Sequence, residues 1–219
     1  MKPQLKDFLL YILLLILLML GIIVVFSKKN TSHEVNSSYE STKSAILKKQ
    51  YASFPKMEIS DGKKYQAAIF TNKGSLKIEL FAKETPKTVN NFIFLAREGF
   101  YDGTIFHRVV KNFMIQGGDP NGDGTGGPGY TFPDEKITKD YKRGIVAMAN
   151  RGPNTNGSQF FIMHKDVDLP KQYVIFGQVI EGIETVDKIA EISVVDNGLG
   201  EKSKPLEEVK IEKIEIVEN

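Results

Sequence analysis

Phe106-His107-Arg108-Val109-Val110-Lys111-Asn112-Phe113-Met114-Ile115-Gln116-Gly117-Gly118-Asp119 and, further on, Met148-Ala149-Asn150-Arg151-Gly152-Pro153-Asn154-Thr155-Asn156-Gly157-Ser158-Gln159-Phe160-Phe161-Ile162 are the two stretches on which the fold and chemistry of this chain turn. Both are brief apolar runs cut by Gly, Asn and Pro, the punctuation of short strands joined by turns. They predict strands over Thr104–Val110, Phe113–Gln116, Gly144–Ala149 and Gln159–Met163.

Working outward, Tyr65–Thr71 and Ser75–Phe81 read as two strands around Asn72-Lys73-Gly74, a tight hairpin because Asn and Gly tolerate positive φ. In the second of these runs Leu76, Ile78 and Leu80 alternate with Lys77 and Glu79, so one face is buried and one is wet. A helix follows. Thr85 is its expected cap, Pro86 suits its first turn, and Val89, Phe92, Ile93 and Ala96 form one apolar stripe before Gly99 stops it. Val174–Val179 is a further strand, and Ile183–Ile192 a second amphipathic helix with Ile183, Val186, Ile189 and Ala190 on its apolar side. In the final strand, Glu208–Val217, the apolar residues Val209, Ile211, Ile214 and Ile216 slip register once, which predicts a bulge. Many short strands with two helices give a mainly β class, a barrel or a sandwich. A barrel has the merit of removing sheet edges.

Composition narrows the chemistry. A net charge of +2 without a basic block gives no reason to expect nucleic acid. Absence of cysteine excludes disulfides, a thiol nucleophile and thiolate-bound metal. The histidines are His33, His107 and His164, in no metal-ligand spacing, so no metal and no cofactor is expected. Two glycine-rich patterns are decoys. Gly122-Asp123-Gly124-Thr125-Gly126-Gly127 fits a dinucleotide fingerprint, but Pro128-Gly129 opposes the helix such a site needs. Asp119-Pro120-Asn121-Gly122-Asp123-Gly124 fits the start of a calcium loop, but Tyr130 stands where the twelfth-position glutamate belongs. The stretch reads as a loop that needs unusual φ/ψ.

Mean hydropathy of -0.21 hides an asymmetry. Phe8 to Phe26 is uncharged and apolar apart from Tyr11 and Gly21. As a helix it would be ~28 Å long, close to the ~30 Å hydrocarbon core of a bilayer. Residues 1–27 are therefore read as a transmembrane signal anchor, with the membrane engaged through residues 8–26. A cleaved signal peptide is the alternative, although the run is long for one and no A-x-A pattern follows Val24-Val25-Phe26-Ser27. Lys2 and Lys6 before the span balance Lys28 and Lys29 after it, so orientation rests on the usual layout of anchored exported proteins, with the domain outside the cytoplasm. Residues 28–63 read as a polar tether, Asn30–Ser44 being rich in Ser, Thr, Asn and charge. Ala45–Phe54 is open to a short helix or a loose chain. The folded domain is placed at 64–219.

The two stretches quoted first resemble the signature segments of the cyclophilin family. The similarity runs from about Tyr65 to Val217 and takes in Gly99-Phe100-Tyr101-Asp102-Gly103 and Val174-Ile175-Phe176-Gly177. The resemblance implies a closed eight-stranded antiparallel β-barrel capped by two helices. It also implies isomerisation of X-Pro peptide bonds in proline-containing polypeptides without a covalent intermediate, metal or nucleotide, and a monomeric domain is expected. Carried over position by position, it makes Arg108 the catalytic cation and Phe113, Met114, Phe161 and Leu169 the proline pocket. Gln116 is assigned beside substrate and arginine, and Ala149 and Asn150 the ledge for the substrate backbone. His107 orients the arginine or lines the pocket, and Gln159 and Tyr173 complete the groove. The chain departs from the best-known eukaryotic pattern in having no tryptophan near Asp168 and Tyr173 in place of a histidine, which puts tight cyclosporin binding in doubt.

These residue types suit the chemistry. Rotation about a peptide bond meets a barrier of ~18–20 kcal/mol because the C–N bond has partial double-bond character. In the twisted transition state the prolyl nitrogen becomes pyramidal and can accept a hydrogen bond it could not accept when planar. A fixed cationic donor aimed there binds the transition state better than the ground state. Alternatives from other classes are a module that binds proline-containing loops with catalysis incidental, and a chaperone acting outside the groove.

Overall fold

A computed structural model describes residues 49–60 and 62–219. Among the described residues, ten strands and two helices follow in chain order. They are β1 (Tyr65–Thr71), β2 (Gly74–Leu80), α1 (Pro86–Arg97), β3 (Arg108–Val110), β4 (Met114–Gly117), β5 (Ile145–Met148), β6 (Phe160–Met163), β7 (Ile175–Glu181), α2 (Ile183–Ala190), β8 (Val194–Asp196), β9 (Lys202–Pro205) and β10 (Ile211–Glu218).

Eight of the strands make one antiparallel sheet in the order β10-β1-β2-β7-β5-β6-β4-β3. It curls on itself. The connector before β3 reaches the chain around the start of β10, where Gly103 N–H donates to Ile211 O (2.8 Å), Ile211 N–H to Thr104 O (2.8 Å) and Phe106 N–H to Val209 O (2.9 Å). The eight strands form a curled antiparallel sheet whose strand order runs from β10 to β3. The expected strand 104–110 is shortened to Arg108–Val110, because its first half is spent on these bonds. The predicted bulge occurs in β10: Phe70 pairs with Lys213 and Thr71 with Ile211, so Glu212 is the extra residue. β8 and β9 form a separate hairpin that the apolar pattern did not reveal.

The central strands β5 and β6 are buried along their whole length. The reason is a second core. Val146, Met148, Phe160 and Ile162 point into the main core, with Phe92 and Ile93 of α1 and Val186 and Ile189 of α2. Their neighbours Ile145, Ala147, Phe161 and Met163 point the other way, into a smaller cluster with Met114, Tyr141 and Ile175. Successive strand residues face opposite sides of a sheet, so two buried faces produce an unbroken apolar run.

Helix α1 is capped in an unexpected manner. Thr85 is at its N-terminus, but its hydroxyl donates to Phe81 O (3.2 Å) and does not cap. The first-turn N–H groups of Lys87 and Thr88 donate instead to the Glu135 carboxylate, at 2.9 and 2.8 Å. A carboxylate accepts these unpaired donors and complements the helix dipole, which a hydroxyl turned back to Phe81 cannot do. Gly99 ends the helix as predicted, at φ 63°, with Gly99 N–H on Ala96 O and Phe100 N–H on Leu95 O.

Residues 49–60, which sequence assigns to the tether, lie against the body. Tyr51 meets Phe94 and Phe100 at ring-centroid distances of 5.0 and 6.3 Å, and Phe54 meets Phe132 at 5.2 Å. Tyr51 N–H donates to Pro128 O (2.8 Å), and the Asn90 side chain bonds the backbone of Lys56 and Glu58. These apolar side chains have a landing place that a polar average over 28–63 obscures, so the packed body extends upstream of Lys64. No helix among the described residues is long and apolar enough to cross a membrane. The anchor reading falls on residues 8–26, outside the described residues.

Candidate active site

The site grows out of the second core. Register places Arg108 opposite Gln116, Gln116 opposite Phe161, and Phe161 opposite Ala147, one row across β3, β4, β6 and β5. One step along, Val110 faces Met114, and Met114 faces Met163. Side chains of these rows on the outer face floor a cavity of about 220 Å³. Phe113, Met114, Phe161 and Leu169 supply its apolar lining. Arg108, Gln116 and Asn150 supply polar groups, and Ala149 and Tyr173 complete the rim. Nine residues singled out from sequence therefore surround one hollow.

Phe161 is held edge-on by Tyr173 at 5.5 Å between centroids. Tyr173 is itself clasped by Tyr141, whose hydroxyl donates to Tyr173 O (2.8 Å) and accepts from Tyr173 N–H (3.0 Å). The Asn150 side chain donates to Gln172 O (2.8 Å), tying the ledge to the same rim. Phe113 follows the turn at Asn112, which sits at φ 63°. That turn is pinned by buried His164, whose backbone N–H donates to Phe113 O (2.8 Å) and whose Nδ1 accepts from Asn112 N–H (3.0 Å). The His164 Nε2 lies 3.2 Å from Asp187 Oδ1, and Asp187 is gripped by both Nη atoms of Arg143. Burial pushes the His164 pKa down, against the opposing pull of Asp187. With Nδ1 accepting from Asn112, it is Nε2 that faces Asp187.

Arg108 is the hub. Its Nη1 lies 3.3 Å from Gln116 Oε1 and 3.8 Å from Met114 Sδ, and its guanidinium carbon is 5.9 Å from the Phe113 ring centroid. Gln116 Nε2 donates to Gln159 Oε1 (3.0 Å), and Gln159 Nε2 donates to Gly124 O (3.0 Å) and Gly126 O (2.9 Å). Arginine, two glutamines and a glycine loop thus form one relay of donors and acceptors.

That loop is organised by Asp119, whose side chain is fully buried and accepts from the N–H groups of Asn121, Asp123 and Gly124 at 2.8, 3.1 and 2.6 Å. Gly122 and Gly124 take φ of +70° and +87° there, as the loop reading expects. Among the described residues no cluster of three potential metal ligands occurs.

Two predicted site residues lie apart from the 220 Å³ hollow. Gln159 lines a larger adjoining cavity of about 770 Å³, which also meets Gln116, Ala149 and Asn150. His107 lines neither. Its imidazole lies near Gly124, and burial pushes its pKa down. Sequence reasoning also missed Glu201, whose carboxylate accepts from Arg108 Nε (2.7 Å) and Nη2 (2.6 Å). No spacing rule could find it, since 93 residues separate the pair.

Residues 67–216 match the family described as cyclophilin type peptidyl-prolyl cis-trans isomerase. The chain is 46% identical over 158 residues to human peptidyl-prolyl cis-trans isomerase-like 3, covering 69% of this chain and 95% of that one. It is 44% identical over 169 residues to the probable peptidyl-prolyl cis-trans isomerase B of Mycobacterium tuberculosis, covering 69% of this chain and 54% of that one. The chain thus spans about half the length of the mycobacterial relative. A crystal structure of a Cryptosporidium parvum cyclophilin type isomerase superposes with a TM-score of 0.66 at 42% identity, covering 71% of this chain and 99% of that one. The same protein, solved in the presence of the dipeptide Ala-Pro, gives 0.65. With a family match over more than half its length and a sheet, helices and hollow to go with it, this chain belongs to the cyclophilin-type peptidyl-prolyl cis-trans isomerase family.

Proposed function

We propose that the chain accelerates cis-trans rotation about X-Pro bonds of polypeptides, with Arg108 as the catalytic residue. One observation carries this reading: the Nη1 end of a permanently charged guanidinium sits at the mouth of an apolar hollow of about 220 Å³, the environment a prolyl ring and its nitrogen need. The ring enters among Phe113, Met114, Phe161 and Leu169. The substrate backbone before the proline lies along Ala149 and Asn150. As the C–N bond twists and its resonance is lost, the pyramidal prolyl nitrogen accepts a hydrogen bond from Arg108, a donor already in place and needing little reorganisation. Gln116 steadies that donor. No proton is transferred and no bond to the enzyme forms.

The test is a protease-coupled proline-peptide assay. Arg108→Ala is expected to lower kcat/KM about 10²–10³-fold, the scale for losing one preorganised donor, while peptide binding followed by NMR weakens far less. A rate equal to wild type would reject the assignment. If binding persists and wild type itself shows no acceleration, the groove is a binding module.

We further read residues 8–26 as a single membrane span that holds a monomeric domain outside the cytoplasm, where it assists the folding of exported chains. Support comes from the uncharged apolar run and its length. Protease added to intact cells is expected to remove the domain; full protection would reverse the orientation. Light scattering of the purified chain checks the monomer.

A further inference from the structure

The β8–β9 hairpin has a well-braced tip. Asn197 N–H donates to Glu201 O (2.9 Å), the Asn197 side-chain oxygen accepts from Leu199 N–H (2.8 Å) and Glu201 N–H (3.3 Å), and Asp196 Oδ1 accepts from Gly198 N–H (2.7 Å). β9 lies against β3, the strand that begins at Arg108. The brace therefore fixes the carboxylate of Glu201 beside the guanidinium, two residues related by the fold and not by the chain.

The geometry of the pair is selective. A guanidinium offers one N–H at Nε and two at each Nη. Glu201 takes the edge formed by Nε and Nη2, at 2.7 and 2.6 Å, a two-pronged fit with fixed orientation. What remains free to face the hollow is the Nη1 end, next to Gln116 Oε1 and Met114 Sδ. A free arginine side chain samples many rotamers. Held on one edge by Glu201 and on the other by Gln116, it has already given that freedom up. The Arg108 hydrogen bonds in turn push the Glu201 carboxyl down to about 2, so both partners are charged near neutral pH.

We propose that Glu201 is a positioning residue for Arg108: it determines which nitrogen of the guanidinium is offered to the prolyl nitrogen. This rests on the isomerase reading above. The opposite consequence of the same contact, a carboxylate that blunts the cation and restrains catalysis, predicts the opposite sign.

The test is steady-state kinetics on the full chain. Glu201→Ala is expected to lower kcat about 10-fold, within the range that an ångström of misplacement costs, with KM changed by less than about twofold. Glu201→Asp, which keeps the charge, is expected to recover part of the loss, and Glu207→Gln, at an exposed surface pair with Lys73, is expected to change nothing. In an Arg108→Ala background Glu201→Ala is expected to have no further effect, because coupled residues are not additive. A rate equal to or above wild type in Glu201→Ala, or an undiminished loss in the Arg108→Ala background, would overturn the proposal. A second readout is the Arg108 Nε–H resonance in ¹⁵N NMR. It is expected to be protected from solvent exchange in wild type and exposed in Glu201→Ala; an unprotected signal in wild type removes the fork and the proposal with it. Wild type showing no acceleration over the uncatalysed rate sinks the isomerase reading instead, with the resonance still reporting on the fork.

Discussion

Arg108 and Gln116 stand directly opposite one another in the β3–β4 ladder, so the 3.3 Å contact between Nη1 and Oε1 is set by strand register. A slip of one residue in either strand would put the two side chains on opposite faces. Gln116→Ala is expected to lower kcat/KM about 10-fold, the scale of a misplaced catalytic group, because it removes a guanidinium acceptor and cuts the relay to Gln159. The protease-coupled assay measures it. An unaltered rate in a protein with unaltered circular dichroism would show that the ladder contact is incidental.

Glu135 caps α1 across 48 residues of sequence, accepting from Lys87 N–H, Thr88 N–H and the Thr88 hydroxyl. Its removal leaves the first-turn donors of α1 without their partner. Glu135→Ala is expected to cost about 1–2 kcal/mol, the upper part of the range for cap loss, read as a lower urea midpoint at constant m. Thr85→Ala is expected to cost less, since its hydroxyl caps nothing. The reverse ranking would contradict the assigned roles.

Stability is expected to fall as the pH drops below neutrality. His164 has a folded pKa lowered from its ordinary value, chiefly by burial, and so does His107. Above about 6.5, the unfolded value, both states are neutral and stability is level. Below it the unfolded chain takes up protons the fold refuses, so stability declines until the folded pKa is passed. Melting temperature measured between pH 8 and pH 4.5 should trace this, and His164→Gln should flatten the slope in part. An identical slope in the variant would show that His164 is protonated in the fold.

Tyr51, upstream of the domain start that sequence suggests, is expected to behave as a core residue. Tyr51→Ala forfeits ring contacts to Phe94 and Phe100 and is expected to cost about 2–4 kcal/mol by the scale for large-to-small changes of partly buried aromatics. Thermal denaturation checks it. A variant as stable as wild type would return residues 49–60 to the tether.

Legibility in the sequence followed the range over which each signal acts. Period-two alternation in β2 and the helical stripe of α1 are local, and both were read within a residue or two of their observed bounds. Gly99 and the β10 bulge were legible for the same reason. The hollow was legible only through resemblance, because Phe113, Met114 and Phe161 look like ordinary core residues until the sheet lays them on its outer face. Non-local partners were not legible. Glu135 at α1, Glu201 at Arg108 and Tyr51 over Pro128 are each brought into place by folds of the chain that leave no periodic trace. The β8–β9 hairpin escaped for a related reason: Lys202-Ser203-Lys204-Pro205 is polar, with Ser203 as its inward residue, and lacks the apolar alternation by which strands are recognised.

The first strand of the sheet is zipped to the last, Tyr65 opposite Glu218 and Ile69 opposite Ile214. During synthesis, β1 must therefore wait, one edge unsatisfied, until β10 has left the ribosome. Long-range closures of this type are slow to find and leave sticky intermediates meanwhile. The chain is thus a late finisher, and its nascent form has the strongest need of shelter in the interval before β10 arrives.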